Sequence, residues 1–129
     1  MKKIIIEGKN ITDIETFYKE INRVFMQNES WKIAQSLDAF NDLLYGGFGE
    51  TNGKENIQLV WKNSEENKKS LGLQPTLAFY QNKLKSPEIF NTNFIINKID
   101  ELEKGTGLTF FDIVIEIIAD HPNIILLKE

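Results

Sequence analysis

The sequence predicts an α/β fold built on a three-stranded parallel sheet, and three observations carry that expectation. Three short runs rich in β-branched and large apolar residues lie far apart in the 129-residue chain. They are Ile4-Ile5-Ile6, Ile57-Gln58-Leu59-Val60-Trp61 and Ile124-Ile125-Leu126-Leu127. Stretches with helical spacing separate each run from the next, which is the pattern of parallel strands joined by crossovers. Two of the three runs are continuous rather than alternating, as expected for strands covered on both faces. The order reads β-α-α-β-α…α-β, with no internal repeat and no linker, so a single domain spanning 1–129 is expected.

The elements follow in order. Ile4–Ile6 is closed by Glu7-Gly8. Thr12-Asp13-Ile14-Glu15 has the spacing of a capping box, with Thr12 as N-cap and Glu15 reaching back. Ile14, Phe17, Tyr18, Ile21, Val24 and Phe25 then place one apolar stripe on a first helix. Ser36 is a good N-cap for a shorter helix that runs to Tyr45, where Gly46-Gly47 stops it. After the second strand, polar residues from Asn63 to Lys69 predict an exposed helix. Helical spacing returns over Thr76–Leu84 and Thr92–Lys104, parted by Ser86-Pro87. Ile95, Ile96, Ile99 and Leu102 form an apolar stripe on the second of these that must be covered. Thr109-x-x-Asp112 opens a last helix, apolar on nearly every side, through Ala119.

Composition excludes several classes of function. Cysteine is absent and histidine occurs once, which removes disulfides, thiolate nucleophiles and multi-histidine metal sites, so no metal or cofactor is expected. Fifteen basic residues stand against 19 acidic ones, a net charge of −4 that argues against nucleic acid or an anionic membrane as partner. Arg23 is the sole arginine, so bidentate phosphate clamps are nearly unavailable. No apolar stretch reaches the roughly 18 residues of a membrane span. The first residues turn acidic too soon for a signal peptide, and a cytoplasmic location is the expectation.

Gly46-Gly47-Phe48-Gly49 with Gly53-Lys54 invites a phosphate-loop interpretation, but Phe48 and Glu55 stand where a Walker loop needs Gly and Ser or Thr, and the glycines follow a helix. His121, before Pro122 at a helix end, reads as a cation facing the negative helix terminus. Trp61, inside a strand pattern, reads as core. Asp38 and Asp42 are the unusual pair. They lie four apart on the short helix, so both point the same way, flanked by Gln35 and Tyr45, while Leu37, Phe40 and Leu44 take the opposite face. Like charges at this spacing repel by ~0.2–0.5 kcal/mol. Asp38 gains from the helix dipole in the first turn; Asp42 lies too deep in the helix to do so. From Glu29 to Glu50, four carboxylates (Glu29, Asp38, Asp42, Glu50) oppose Lys32, a local balance of −3. A carboxylate pair can also serve as glycosidase acid and base, but that needs a cleft and unequal environments. A solvated acidic face or a surface for a cationic partner fits better.

Ser36-Leu37-Asp38-Ala39-Phe40-Asn41-Asp42-Leu43-Leu44, followed by Gly46-Gly47, resembles the second helix of the barstar family, intracellular ribonuclease inhibitors. Lys2–Ile11 is similar to that family's first strand and turn, Leu59-Val60-Trp61-Lys62 to its second strand, and Glu116–Leu127 to its last helix and third strand. The resemblance implies a barstar-like three-stranded parallel sheet packed with helices, order β-α-α-β-α-(inserted helices)-α-β, in which about 72–107 is an insertion. It also implies a protein inhibitor, not an enzyme, whose acidic helix enters a ribonuclease active site. Asp42 matches the family's dominant contact, which takes a phosphate position against Arg and His, and Asp38 its second inhibitory aspartate. Glu116 matches an outlying acidic contact, though Asp112, Glu116 and Asp120 also form the only polar stripe of the last helix. Asn41 stands where barstar has an aromatic residue. Lys32 and Ile33 replace its paired tyrosines, with Trp31 beside them as a substitute. Ala34 replaces a glycine, and Phe48 is the aromatic after the turn, displaced by Gly47.

The expected partner-binding set is therefore Trp31, Gln35, Asp38, Asn41, Asp42, Tyr45, Gly46, Phe48 and Glu116, with no catalytic and no metal-binding residue. The expected partner is a cognate, barnase-like ribonuclease, with the chain acting as an immunity protein and monomeric when free. No direct contact with nucleic acid or membrane is expected. The alternative is a binding module of the same fold for another basic protein, with 72–107 as its main surface.

Overall fold

The computed structural model describes residues 1–51 and 53–129. Strand β1 (Lys2–Glu7) leads through a 3-10 turn at Gly8–Asn10 into α1 (Ile14–Phe25) and α2 (Leu37–Tyr45). Then come β2 (Ile57–Lys62), α3 (Ser64–Ser70), α4 (Leu73–Lys83), α5 (Thr92–Glu103), α6 (Phe110–Ala119) and β3 (Ile124–Lys128). The strands form one parallel sheet with β2 in the centre, aligned through the rows Ile4↔Leu59↔Leu126 and Ile5↔Val60↔Leu127. This is the expected α/β architecture and element order.

One apolar core fills the helix side of the sheet. Ile4, Ile6, Leu59 and Trp61 meet Phe17, Ile21 and Phe25 of α1, Phe40, Leu43 and Leu44 of α2, and Phe110, Val114 and Ile118 of α6. Phe17 is its centre, with ring centroids of Tyr18, Phe40 and Phe110 at 5.3, 5.6 and 5.5 Å in edge-to-face arrangements.

Four local expectations are corrected. The first helix is capped one residue later than the Thr12 box. Asp13 Oδ1 accepts the Thr16 N–H at 2.8 Å and Thr16 Oγ1 accepts the Asp13 N–H at 2.9 Å. A carboxylate is the stronger acceptor at the positive helix end, so Asp13 takes the role from Thr12. Second, the sheet is not covered on both faces: Ile125 is 48% exposed and Ile5 and Leu127 both 37%. Val60, between Ile5 and Leu127, is buried by these lateral neighbours, so a continuous apolar run did not require a second layer of helices.

Third, α3 is not simply exposed, because Ser64 and Asn67 are buried. Asn67 Oδ1 accepts the Trp61 Nε1–H at 2.7 Å, and its amide donates to the carbonyls of Gly8 and Ile11 at 3.1 and 3.2 Å. The backbone comes so close at Gly8 that a Cβ there would collide with the Lys62 carbonyl and Asn67 Oδ1. Fourth, α4 starts before Thr76. Pro75 falls in its first turn, where a missing N–H costs nothing.

Helices α4 and α5 make a small cluster of their own around Tyr80, Ile95 and Leu102, with Ile99 packed against it and Ile96 left exposed. The pair is fastened to the main core at the start of α6. Thr76 Oγ1 accepts the Phe110 N–H at 2.8 Å and donates to the Gly72 carbonyl at 2.6 Å. The Phe111 N–H bonds the Leu71 carbonyl at 3.0 Å, and Phe79 meets the edge of Phe110 at 5.9 Å. The capping box Thr109/Asp112 is present as expected, at 3.2 and 3.1 Å.

Candidate partner-binding face

Helix α2 buries Phe40, Leu43 and Leu44 in the core, which turns Asp38, Asp42 and Tyr45 outwards. Ser36 caps it, its Oγ accepting the Ala39 N–H at 3.1 Å. At the far end Gly46 and Gly47 both adopt positive φ (92° and 91°), which glycine reaches without strain. Buried Thr51 clamps that end by donating to the Leu43 carbonyl at 2.6 Å. On the leading side, the Asn22 side chain accepts the Ile33 N–H at 2.8 Å and fixes the loop that carries Trp31. The face is therefore held at both ends by polar groups, half-buried Asn22 on one side and buried Thr51 on the other.

Neither Asp38 nor Asp42 forms an ion pair among the described residues, and neither lines the three main surface cavities. The largest of those, about 630 Å³, is a cleft between α1 and the Trp31–Gln35 loop. Both aspartates sit on an open helical surface, an arrangement without the cleft that acid–base catalysis by a carboxylate pair requires. Among the described residues no group of three His, Asp or Glu is placed to hold a metal ion.

The other candidates fall into three places. Trp31 and Phe48 come together, their ring centroids 5.1 Å apart, and Trp31 is 47% exposed, so the loops before and after α2 share one aromatic platform. Gln35 is exposed ahead of the Ser36 cap. Asn41 is half-buried and its Oδ1 points inward to His121 Nε2 at 2.8 Å. Tyr45 is 66% exposed, yet its ring meets the same imidazole at 76°, centroids 4.6 Å apart. Glu116 is exposed on α6, at a groove whose opposite wall is Leu37 of α2.

His121 is thus not the helix-end cation that the sequence predicts. It is 3% exposed, and burial pushes its pKa below the ordinary value, with Asp120 acting in the opposite direction. A neutral imidazole from the α6–β3 turn props the middle and end of α2. Sequence offered no signal for this contact, since Asn41 and His121 lie 80 positions apart. Lys83 of α4 was missed in the same way. Burial lowers its pKa and the Asp38 carboxylate opposes that shift, which puts an α4 cation next to the acidic helix.

The fold is a three-stranded parallel sheet packed with helices, and it presents α2 as an exposed acidic helix. The family model for Barstar (barnase inhibitor) matches residues 1–91, from β1 through α4 to the N-cap of α5, and the chain belongs to this family. Asp38, Asp42, Tyr45, Trp31 and Phe48 lie within the match; Glu116 lies outside it. No curated protein matches the chain. No helix among the described residues is long and apolar enough to cross a membrane.

Proposed function

We propose that the protein inhibits a cognate, barnase-like ribonuclease by seating α2 in its active site, and that it serves as the immunity protein of the cell that makes the enzyme. The observation that carries this reading is the outward pair Asp38 and Asp42 on a family member's second helix, neither with a cation within 4.0 Å among the described residues. A ribonuclease active site is a cationic groove built for phosphates, so unpaired carboxylates on a rigid helix can stand in for them. Asp42 takes the central position against arginine and histidine, with Asp38 one turn away. The Trp31–Phe48 platform and Tyr45 supply apolar contact at either end, and Gln35, Asn41 and Gly46 close the surface between them. On this reading segment 72–107 is an insertion in the single domain, although its first part, 72–91, falls inside the family match.

The test is direct. Purified protein is mixed with barnase-like ribonucleases, beginning with a small secreted nuclease encoded beside its gene, and RNA cleavage is followed. Inhibition at a 1:1 ratio, with association slowing steeply as salt rises, is expected, since electrostatic steering to a cationic site can reach ~10⁸–10⁹ per molar per second at low salt. An on-rate that does not change between low and physiological salt would remove the acidic-helix mechanism.

A further inference from the structure

Beside α2 lies a groove of about 350 Å³ between α2, α4, α5 and α6. Its floor is apolar, formed by Leu37, Phe79, Phe94 and Leu108, of which Phe94 and Leu108 are exposed. Its charged lining residues are Lys83 from α4, Lys98 from α5 and Glu116 from α6, and the Lys98 ammonium stands 5.3 Å from the centre of the Phe94 ring. The Lys83 ammonium stands 4.3 Å from the centre of the Phe79 ring and 5.0 Å from that of Phe90, so two aromatic faces hold it in place. No carboxylate lies within 4.0 Å of it among the described residues. The Asp38 carboxylate is the charged group that acts on it.

That placement decides what a partner must bring. A protein that sets an arginine or lysine on Asp38 takes away the negative charge that Lys83 feels and puts a like charge in its place. Lys83 is already partly desolvated and fixed by two rings, so it cannot swing away without losing those contacts. Like-charge juxtaposition at an interface is costly unless an anion is supplied with it.

We propose that this groove is a second docking subsite of the same interface. Its occupant is a segment of the bound ribonuclease that lays an apolar or aromatic side chain on Leu37, Phe94 and Leu108 and offers a carboxylate to Lys83. The proposal rests on the inhibitor reading above. It makes α4–α5 the selector of partner, since a ribonuclease with a basic active site but no acidic residue beside it meets Lys83 unpaired.

Two measurements test it, one with the ribonuclease and one without. In the first, dissociation constants are measured for the inhibited ribonuclease with the parent protein and with Lys83→Met, Phe94→Ala and Asp42→Asn. Methionine keeps the stem on the rings while removing the charge, and Phe94 is exposed, so both variants should melt as the parent does. About two- to fivefold weaker binding is expected for Lys83→Met, in the range of a partly exposed pair. Tighter or unchanged binding by Lys83→Met overturns the proposal, for Lys83 would then only damp Asp38. In that outcome a large loss from Asp42→Asn still upholds the inhibitor reading.

The second measurement uses a probe independent of any ribonuclease, a capped Asp-Phe-Asp tripeptide titrated into isotope-labelled protein. Weak binding should shift Phe94, Leu108 and Lys83 resonances, leave Trp31 unmoved, and disappear in Lys83→Met. Shifts elsewhere, or none, overturn the subsite even where ribonuclease inhibition holds. If the peptide binds the groove but inhibited ribonuclease does not displace it, the groove belongs to a different interface and the proposal fails. Self-association that blocks the groove, seen as concentration-dependent sedimentation abolished by Phe94→Ala, would assign it to a second copy instead.

Discussion

The part of the molecule that carries α2 and the α4–α5 pair next to it are built by different means. Behind α2 the core is continuous, and its polar groups are closed into it. Glu20 accepts from the Glu7 N–H at 2.8 Å, from Asn10 at 2.9 Å and from Arg23 at 2.7 Å, Asn67 ties the sheet to the turn after β1, and Thr51 ties the helix end. The α4–α5 pair buries only Tyr80, Ile95 and Leu102 as large apolar groups. It leaves Ile89, Phe90, Phe94 and Ile96 at the surface with lysines laid over some of the rings. One region fixes a charge pattern; the other presents an apolar surface that can change without disturbing the sheet. Buried polar networks are costly to alter and favour a single arrangement, whereas a small satellite cluster tolerates exchange. On the proposed reading, the difference would let one mode of binding be kept while the choice of partner is altered.

The largest expected effect separates binding from stability on the fixed side. Asp42→Asn should cost about 2–5 kcal/mol of binding to an inhibited ribonuclease, a range drawn in part from complexes of this family, because the enzyme's cations are left buried without a partner. In the free protein the same change relieves repulsion from Asp38 and should leave stability unchanged or raise it by a few tenths of a kcal/mol. Asp38→Asn should lose less binding and gain less stability, since its first-turn position benefits from the helix dipole. Inhibition titrations and thermal melts of both variants check this, and full inhibition by Asp42→Asn would end the assignment.

Next come substitutions that probe how each region is fastened. Asn67→Ala strips Trp61 Nε1–H of its acceptor and the Ile11 carbonyl of its side-chain donor, while the Gly8 carbonyl keeps the Ile11 N–H; at ~1–3 kcal/mol per unsatisfied buried group it should destabilise by about 3 kcal/mol in urea unfolding. Thr76→Val is nearly isosteric and removes the acceptor of the Phe110 N–H, so about 1–2 kcal/mol is expected. The second loss should appear first as faster amide exchange throughout α4 and α5, with β2 and α1 still protected. Uniformly faster exchange in both regions would erase the distinction between them.

Much of this contrast could be read from the chain before folding, and the reasons are local. The stripe of α1, the Ser36 cap, the Gly46-Gly47 stop and the Thr109/Asp112 box are encoded within a few residues, so spacing alone recovers them. The outward direction of Asp38 and Asp42 follows from helical periodicity once Phe40 and Leu44 are assigned to the core. Contacts between distant residues were not legible. Asn67 lies in a polar heptad that reads as solvated, yet the fold carries it to Trp61 and Gly8. Lys83 and His121 reach α2 only through tertiary packing. Trp31 and Phe48 were separate candidates by sequence, and only the folded loops bring them into one platform. The open sheet face was misjudged because cross-strand shielding of Val60 looks, in one dimension, like burial under helices.

The smallest expected effect lies at the prop beneath α2, and pH reads it. Burial holds the His121 imidazole below its ordinary pKa of 6.5, with Asp120 partly opposing. The unfolded chain therefore binds this proton at a higher pH than the folded protein does. Stability is complete above about pH 6.5 and declines as pH falls through that value towards the lower folded pKa. The contact with Asn41 Oδ1 can persist with Nε2–H as donor; what costs is bringing a charge onto a side chain that is 3% exposed. Glu20 and Glu50 do not blur this window. Burial raises the Glu20 pKa but its bonds from Arg23, Glu7 and Asn10 outweigh that, and the Lys2 ammonium lowers that of Glu50, so both lose their contribution only below the ordinary 4.5. Urea midpoints should thus fall modestly between pH 6.5 and 5 and steeply below 4.5. His121→Gln keeps a donor for Asn41 and removes the titration, so its midpoint should be flat over the upper window and fall only in the lower one. Equal slopes for the two proteins between pH 6.5 and 5 would show that His121 is not the group that senses it, and that α2 is held as firmly at its prop as it is at Thr51.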